Sequence, residues 1–257
     1  MKFFSDSYVI FLRSLRSISR SPFVILMTII QPVLWMVLFG QVFSSMADIP
    51  GFGGDAYMDF LGPGIVMMST MMAGAYAGMG IISDYRDGVL DRLMISPIKR
   101  SAILWGSLLQ DSLTLAFQAI MMIGIAVLMG AHFSGGLLGI TQFVIISILL
   151  GLTMGVLSTS LGLLILKESS LTAAVSFITM PLLFLSSLFI PLALVPNWVA
   201  TIAAFNPLHW AIEAGREVIT HQTDWVIVFQ NSLYLLLLLF VSFILVIAAF
   251  KRYQRIV

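Results

Sequence analysis

Residues 23–45, 60–82, 138–166, 170–191 and 227–250 contain no charged side chain, and in a sixth stretch, 103–130, Asp111 is the single exception. A hydrocarbon core about 30 Å thick is crossed by about 20 helical residues. Helices also satisfy their own backbone where no water can. The sequence therefore predicts an all-α integral membrane protein with six transmembrane helices, folded as a single membrane domain over residues 1–257. Composition agrees: 60% of the residues are hydrophobic and 10% charged, against about 25% charged in soluble domains. The first apolar run, from Pro22 to Val42, exceeds the roughly 7–15 residues of a cleaved signal's core, so it reads as a retained anchor.

The basic residues orient these helices, because short cytoplasmic loops retain Lys and Arg. Lys2, Arg13, Arg16 and Arg20 precede the first span. Arg86, Arg92, Lys99 and Arg100 separate the second from the third, Lys167 the fourth from the fifth, and Lys251, Arg252 and Arg255 follow the sixth. Twelve of the thirteen basic residues thus share one side, leaving Arg216 opposite, and both termini are expected in the cytoplasm.

Three segments outside the spans carry structure of their own. Phe4, Tyr8, Phe11, Leu15 and Ile18 recur at helical spacing while Arg13, Arg16 and Arg20 take another face, which predicts an amphipathic interface helix over residues 1–22 lying on membrane lipid. In residues 83–100, Ser83 or Asp84 is placed to cap a short cytoplasmic helix that Pro97 ends, with Val89, Leu90, Leu93 and Met94 as an apolar strip flanked by Asp87, Asp91 and Arg92. Such a helix suits a partner's groove. From 192 to 225 the chain stays apolar yet too short to cross cleanly, so Val195–Phe205 and Leu208–Ile219 are expected as re-entrant outer half-helices started near Pro196 and Pro207. Trp198, Trp210 and Trp225 are then expected at headgroup level.

Several chemistries lack their residues. No lysine follows a glycine, so no phosphate-cradling Walker loop is present, and no Gly-x-Ser-x-Gly elbow occurs. His132, His209 and His221 stand apart, without the helical pair that holds zinc, and cysteine is absent. A net charge of +1 offers no footprint for nucleic acid. Asp111 is the sole acid within a predicted span, and it is expected at the inner boundary because residues 112–131 alone can cross. A chain without a row of intramembrane charges is expected to draw its energy from elsewhere.

The stretches "FLGPGIVMMS" at 60–69, "DYRDGVLDRLMISPIKR" at 84–100, "PLLFLSSLFIPLALVPNW" at 181–198 and "NPLHWAIEAGRE" at 206–217 resemble, in order and placement, the permease subunits of type-2 ABC exporters. The family commonly has Glu where this chain has Asp84, Asp87 and Asp91. The resemblance implies a half-channel of the bacterial cytoplasmic membrane that pairs with a second copy or a close homologue. It also implies two separate ATPase subunits, which bind the ATP and magnesium, leaving this chain without a cofactor and not an enzyme. In that reading Asp84, Arg86, Asp87, Gly88, Val89, Leu90, Asp91, Arg92, Leu93 and Pro97 form the helix coupled to the ATPase. The half-helices cap the exit, with Pro196, Asn206, Pro207, Glu213 and Arg216 as candidate outer-gate residues.

For the pathway, Met67, Met68, Met71 and Met72 of the second span and the run from Phe177 to Phe189 of the fifth, with Phe184 in it, are candidates for an apolar, adaptable lining, the plainer role for each being packing. Gly74, Gly78 and Gly80 are candidates for close helix contact, and Glu213, Arg216 and Glu217 for an ion pair on one helix face. Two other readings remain: a stand-alone facilitator or secondary carrier relying on Asp111, and a nontransporting scaffold that recruits proteins through residues 84–100.

Overall fold

The structure is a computed structural model that describes residues 22–43, 57–88, 100–220 and 223–253, with side chains from residue 30 in the first segment and from residue 106 in the third. The expected interface helix with Arg13, Arg16 and Arg20, and the loop residues Val89, Leu90, Asp91, Arg92, Leu93 and Pro97, lie outside the described residues.

Helices α1 (Pro22–Val42), α2 (Tyr57–Ala75), α3 (Gly78–Arg86), α4 (Arg100–Leu128), α5 (Gly136–Ile165) and α6 (Glu168–Phe184) are followed by a 3-10 turn at Leu192–Leu194. Then come α7 (Asn197–Ala203), α8 (Pro207–Val218) and α9 (Trp225–Tyr253). The protein is all-helical among the described residues. Four segments there are long and apolar enough to cross a membrane: Tyr57–Arg86, Gly106–Leu128, Gly136–Ile165 and Trp225–Tyr253, with shorter apolar helices at Ile30–Val42 and Glu168–Phe184.

α5 is the central post, touching α2, α3, α4, α6, α8 and α9. Lipid tails are as apolar as leucine, so membrane helices associate through close packing, which small residues permit. A Cβ on Gly74 would collide with the carbonyl of Gly151, and one on Gly78 with the carbonyl of Ser158. The expectation for these two glycines therefore holds. Gly80, by contrast, has open space where its side chain would be. Around this seam Ile65, Met67, Met71, Met122, Phe143 and Leu150 form the interior.

Three boundaries differ from the sequence reading. The second span is not one uninterrupted helix: at Tyr76–Ala77 the bonding tightens, with Ala77 N–H donating to Gly74 O (2.9 Å) and Met79 N–H to Tyr76 O (3.1 Å). The Gly78 N–H is taken up by the Ser158 hydroxyl at 3.1 Å, so a distant residue supplies the bond that the helix gives up. Ser83 and Asp84 do not cap a new helix; they lie in the last turns of α3, which runs to Arg86 and stops because Gly88 takes a left-handed conformation (φ 65°). The fifth span ends at Phe184 rather than at residue 191. Pro181 removes an amide near its end, and the chain runs irregularly up to Pro191.

Side-chain contacts gather the helix ends into two groups. At one end Arg86 Nη1 lies 3.0 Å from Glu168 Oε1, and the rings of Tyr85 and Tyr253 meet edge to face at 6.0 Å. This joins the end of α3, the start of α6 and the end of α9. At the other, Asp59 Oδ1 accepts from the His132 N–H (2.6 Å), the Tyr57 hydroxyl donates to Phe189 O (3.1 Å) and the Gly135 N–H donates to Ile219 O (2.7 Å).

Candidate functional site

The half-helices form as their prolines dictate: Pro196 precedes α7, and Pro207 is the first residue of α8, where a missing N–H costs nothing. Asn206 caps α8, its Oδ1 accepting from the Leu208 N–H at 2.9 Å. Its Nδ2 donates to Leu182 O (2.7 Å) and Leu185 O (2.6 Å), carbonyls that the end of α6 leaves without helical partners. One buried amide thus closes two helix termini at once.

Arg216, two turns along α8, extends the same function. Its Nη2 donates to Phe60 O on α2 (3.0 Å) and to Ser187 O in the irregular stretch (2.9 Å). The guanidinium carbon sits 3.6 Å from the centroid of the Phe60 ring, a cation–π contact. Nη1 lies 3.6 Å from Glu213 Oε1, so the expected local ion pair is present, while Glu217 instead accepts from the Asp224 N–H at 3.1 Å. Nε is buried without a hydrogen-bond partner. Burial pushes the Arg216 pKa down to about 10 against the upward pull of Glu213 and Tyr57, so the group is a cation at neutral pH.

Ser187 and His209 complete the cluster; the sequence reading set His209 aside as a metal ligand and placed Ser187 in the apolar run of the fifth span, without pairing the two. The Ser187 hydroxyl donates its one proton to Glu213 Oε1 (2.9 Å), so His209 Nδ1, also at 2.9 Å, must be the donor in its contact with Ser187 Oγ. Burial holds the His209 pKa below its ordinary value; Glu213 raises it and Arg216 lowers it further. The signals available were the serine pair Ser186–Ser187 inside an apolar run and the i,i+4 spacing of His209 and Glu213. Neither says that the two segments meet. Among the described residues no three His, Cys, Asp or Glu side chains converge as a metal site requires.

A tightly capped helix break and a pair of proline-started half-helices belong to a membrane domain built on the pattern that the four motifs suggested. Residues 6–220 match the family of ABC-2 type transporters. The chain belongs to that family. It is similar to the daunorubicin resistance ABC transporter permease protein DrrB1 of Streptomyces coeruleorubidus, at 26% identity over 80% of this chain and 72% of that protein. It also resembles the putative transport permease ycf38 of Porphyra purpurea (31% identity, 80% and 70% covered) and that of Cyanophora paradoxa (28%, 90% and 79%). The protein is an ABC transporter permease subunit, the transport component rather than the ATPase, and a multi-pass membrane protein. That sets aside the stand-alone carrier and the scaffold.

The permease brings its remaining candidate residues together only in part. Pro196, Asn206, Pro207, Glu213 and Arg216 share one end of the bundle, where all but Pro196 belong to or border the cluster around Ser187. Asp84, Arg86, Asp87 and Gly88 lie at the opposite end, with Arg86 bound to Glu168. Met67, Met68 and Met71 are buried inside the chain's own core, whereas Phe177 and Phe184, 80% and 60% exposed, face outward from α6. The structure does not join the methionines and the phenylalanines into one surface. Of the tryptophans, Trp198 and Trp225 are exposed, while Trp210 donates to Ala204 O (2.8 Å) and packs on Tyr234.

Proposed function

We propose that this permease is one half of the path of an ATP-driven exporter. It pairs with a second copy or a close homologue and is driven by two separate ATPase subunits that carry the ATP and magnesium. Six helices cross the membrane, both termini lie in the cytoplasm, and the membrane is the cytoplasmic membrane of a bacterium. The observation that carries this reading is the gathering of helix ends by the Arg86–Glu168 and Tyr85–Tyr253 contacts. It puts Arg86, Lys167, Lys251 and Arg252 at one end of the bundle, where the positive-inside tendency assigns the cytoplasm. Gly88 is at that end, and in this reading the residues that follow it receive a cytoplasmic ATPase.

In mechanism, closure of the ATPase pair displaces the loops of both permeases. Each bundle then shifts between an inward and an outward packing, a population shift set by how ATP-bound partners favour one of them. Phe177 and Phe184 line the path, and Met67, Met68 and Met71 make the bundle's interior deformable. The α7–α8 hairpin, with Asn206 and Arg216, caps the exit. Leu90 and Leu93 are the apolar anchors in the ATPase groove, so the double change Leu90→Asp and Leu93→Asp tests the reading. A distinct ATPase is expected to co-purify with the parent chain and to be lost from the variant. An intact, equally active complex in the variant refutes the coupling role.

A further inference from the structure

Arg216 looks at first like a residue that merely pairs with Glu213, yet its bonds tell otherwise. The better-formed contacts of the guanidinium go to two main-chain carbonyls, and those belong to different elements: Phe60 on α2 and Ser187 in the stretch after α6. The same stretch lies directly on α2, for a Cβ at Gly64 would come within 2.8 Å of Leu188 Cδ1 and 3.2 Å of Leu188 O. Tyr57 adds a third tie, from the first turn of α2 to Phe189 O. A buried donor is nevertheless left over at Nε. A residue kept only for stability in this arrangement is expected to use all its donors, and exceptions concentrate where structure serves function.

We propose that Arg216 is a positioning residue for transport, a clamp that makes the outer ends of α2 and α6 one moving body. The inference rests on the exporter reading for its purpose, because α2 and α3 lead into the loop beyond Gly88 while α6 carries the outward face of Phe177 and Phe184. Motion imposed at that loop travels along α2 and reaches α6 at the far end, where one nitrogen holds both. Lysine replaces it poorly: a compact, strongly hydrated ammonium on a flexible stem gives up the flat guanidinium that lies on the Phe60 ring and fixes Nη2 between the two carbonyls.

The test uses the fact that the chain has no cysteine. Leu188→Cys places a single thiol at a fully buried position, and its reaction with N-ethylmaleimide is followed in membranes containing the full chain. In the Leu188→Cys background, Arg216→Lys and Arg216→Met are each expected to speed labelling by about tenfold or more, the factor that losing a hydrogen bond to a charged group implies. Trp210→Phe, which removes a different bond of the same hairpin, is expected to leave the rate unchanged. Should Arg216→Met fail to reach the membrane, Arg216→Lys decides. Equal rates in parent and Arg216→Lys overturn the clamp, as do equal accelerations in Arg216→Lys and Trp210→Phe, which indicate general loosening. A separate arm adds ATP and vanadate to membranes that hold the ATPase: a nucleotide-dependent rate in the parent that disappears in Arg216→Lys supports the clamp's role in coupling. Nucleotide-independent rates with the Arg216 effect intact refute the exporter reading and leave the clamp standing as a structural tie.

Discussion

The two ends of the bundle are built on opposite plans. At the end with Asn206, four carbonyls at or just past the end of α6 are each claimed by a buried or half-buried side chain, Leu182 and Leu185 by Asn206, Ser187 by Arg216 and Phe189 by Tyr57, and Arg216 also takes Phe60 O in the first turn of α2. At the end with Arg86, the described residues include an ion pair whose side chains are 64% and 47% exposed and the edge-to-face contact of Tyr85 with Tyr253. Exposed pairs contribute about 0–1 kcal/mol, whereas an unsatisfied buried group costs about 1–3 kcal/mol. The difference teaches where each kind of contact belongs. A break in a membrane helix must be preorganised by side chains, while a surface that exchanges contacts with a moving partner is best left wet and weakly tied.

Breaking the strong end has the largest expected effect. Asn206→Ala strands two carbonyls and the Leu208 amide and is expected to lower stability by about 2–4 kcal/mol, given about 1–3 kcal/mol for each stranded group and partial relief by water. Thermal unfolding in detergent reads it. A loss no greater than that of a surface change contradicts the capping role. Tyr57→Phe removes a single bond to Phe189 O and is expected to cost about 1 kcal/mol in the same assay.

A smaller effect comes from pH. Burial keeps His209 below its ordinary value of 6.5, so as the pH falls beneath that value the unfolded chain takes up a proton before the folded one does. The neutral ring's contribution is therefore complete above pH 6.5 and is lost as the pH falls through the folded value. His209→Gln is expected to flatten that part of the melting curve against pH, and an unaltered slope argues against the assigned tautomer and burial. Smallest of all, Glu168→Gln removes the exposed partner of Arg86 and is expected to shift stability by less than about 1 kcal/mol. A shift as large as that of Asn206→Ala would erase the contrast between the ends.

The same contrast explains what was legible in the sequence. Local signals travelled well: Pro196 and Pro207 start the half-helices where expected, Gly74 and Gly78 mark the seam with α5, and Glu213 pairs with Arg216 on its own helix. What failed depended on a distant partner. Ser158 permits the tightening at Tyr76–Ala77 by taking the Gly78 amide, and nothing near residue 78 announces it. Ser187 and His209 meet across a separation of 22 residues in the chain, so the polarity of Ser187 within an apolar run had no visible destination. Gly80 lies two residues beyond Gly78 where Gly74 lies four before it, so the helix turns it to another side, where its side-chain position is open. Ser83 and Asp84 had the right chemistry for a cap, and the helix simply continues to the glycine that can end it.

The central claim is that the loop beyond Gly88 faces the cytoplasm, where an ATPase can act on it. Because the chain contains no cysteine, Arg92→Cys introduces a unique thiol in that loop, and a membrane-impermeant maleimide can be applied to intact cells and to inside-out vesicles. Labelling of the vesicles alone is the predicted result; labelling of intact cells would contradict the account.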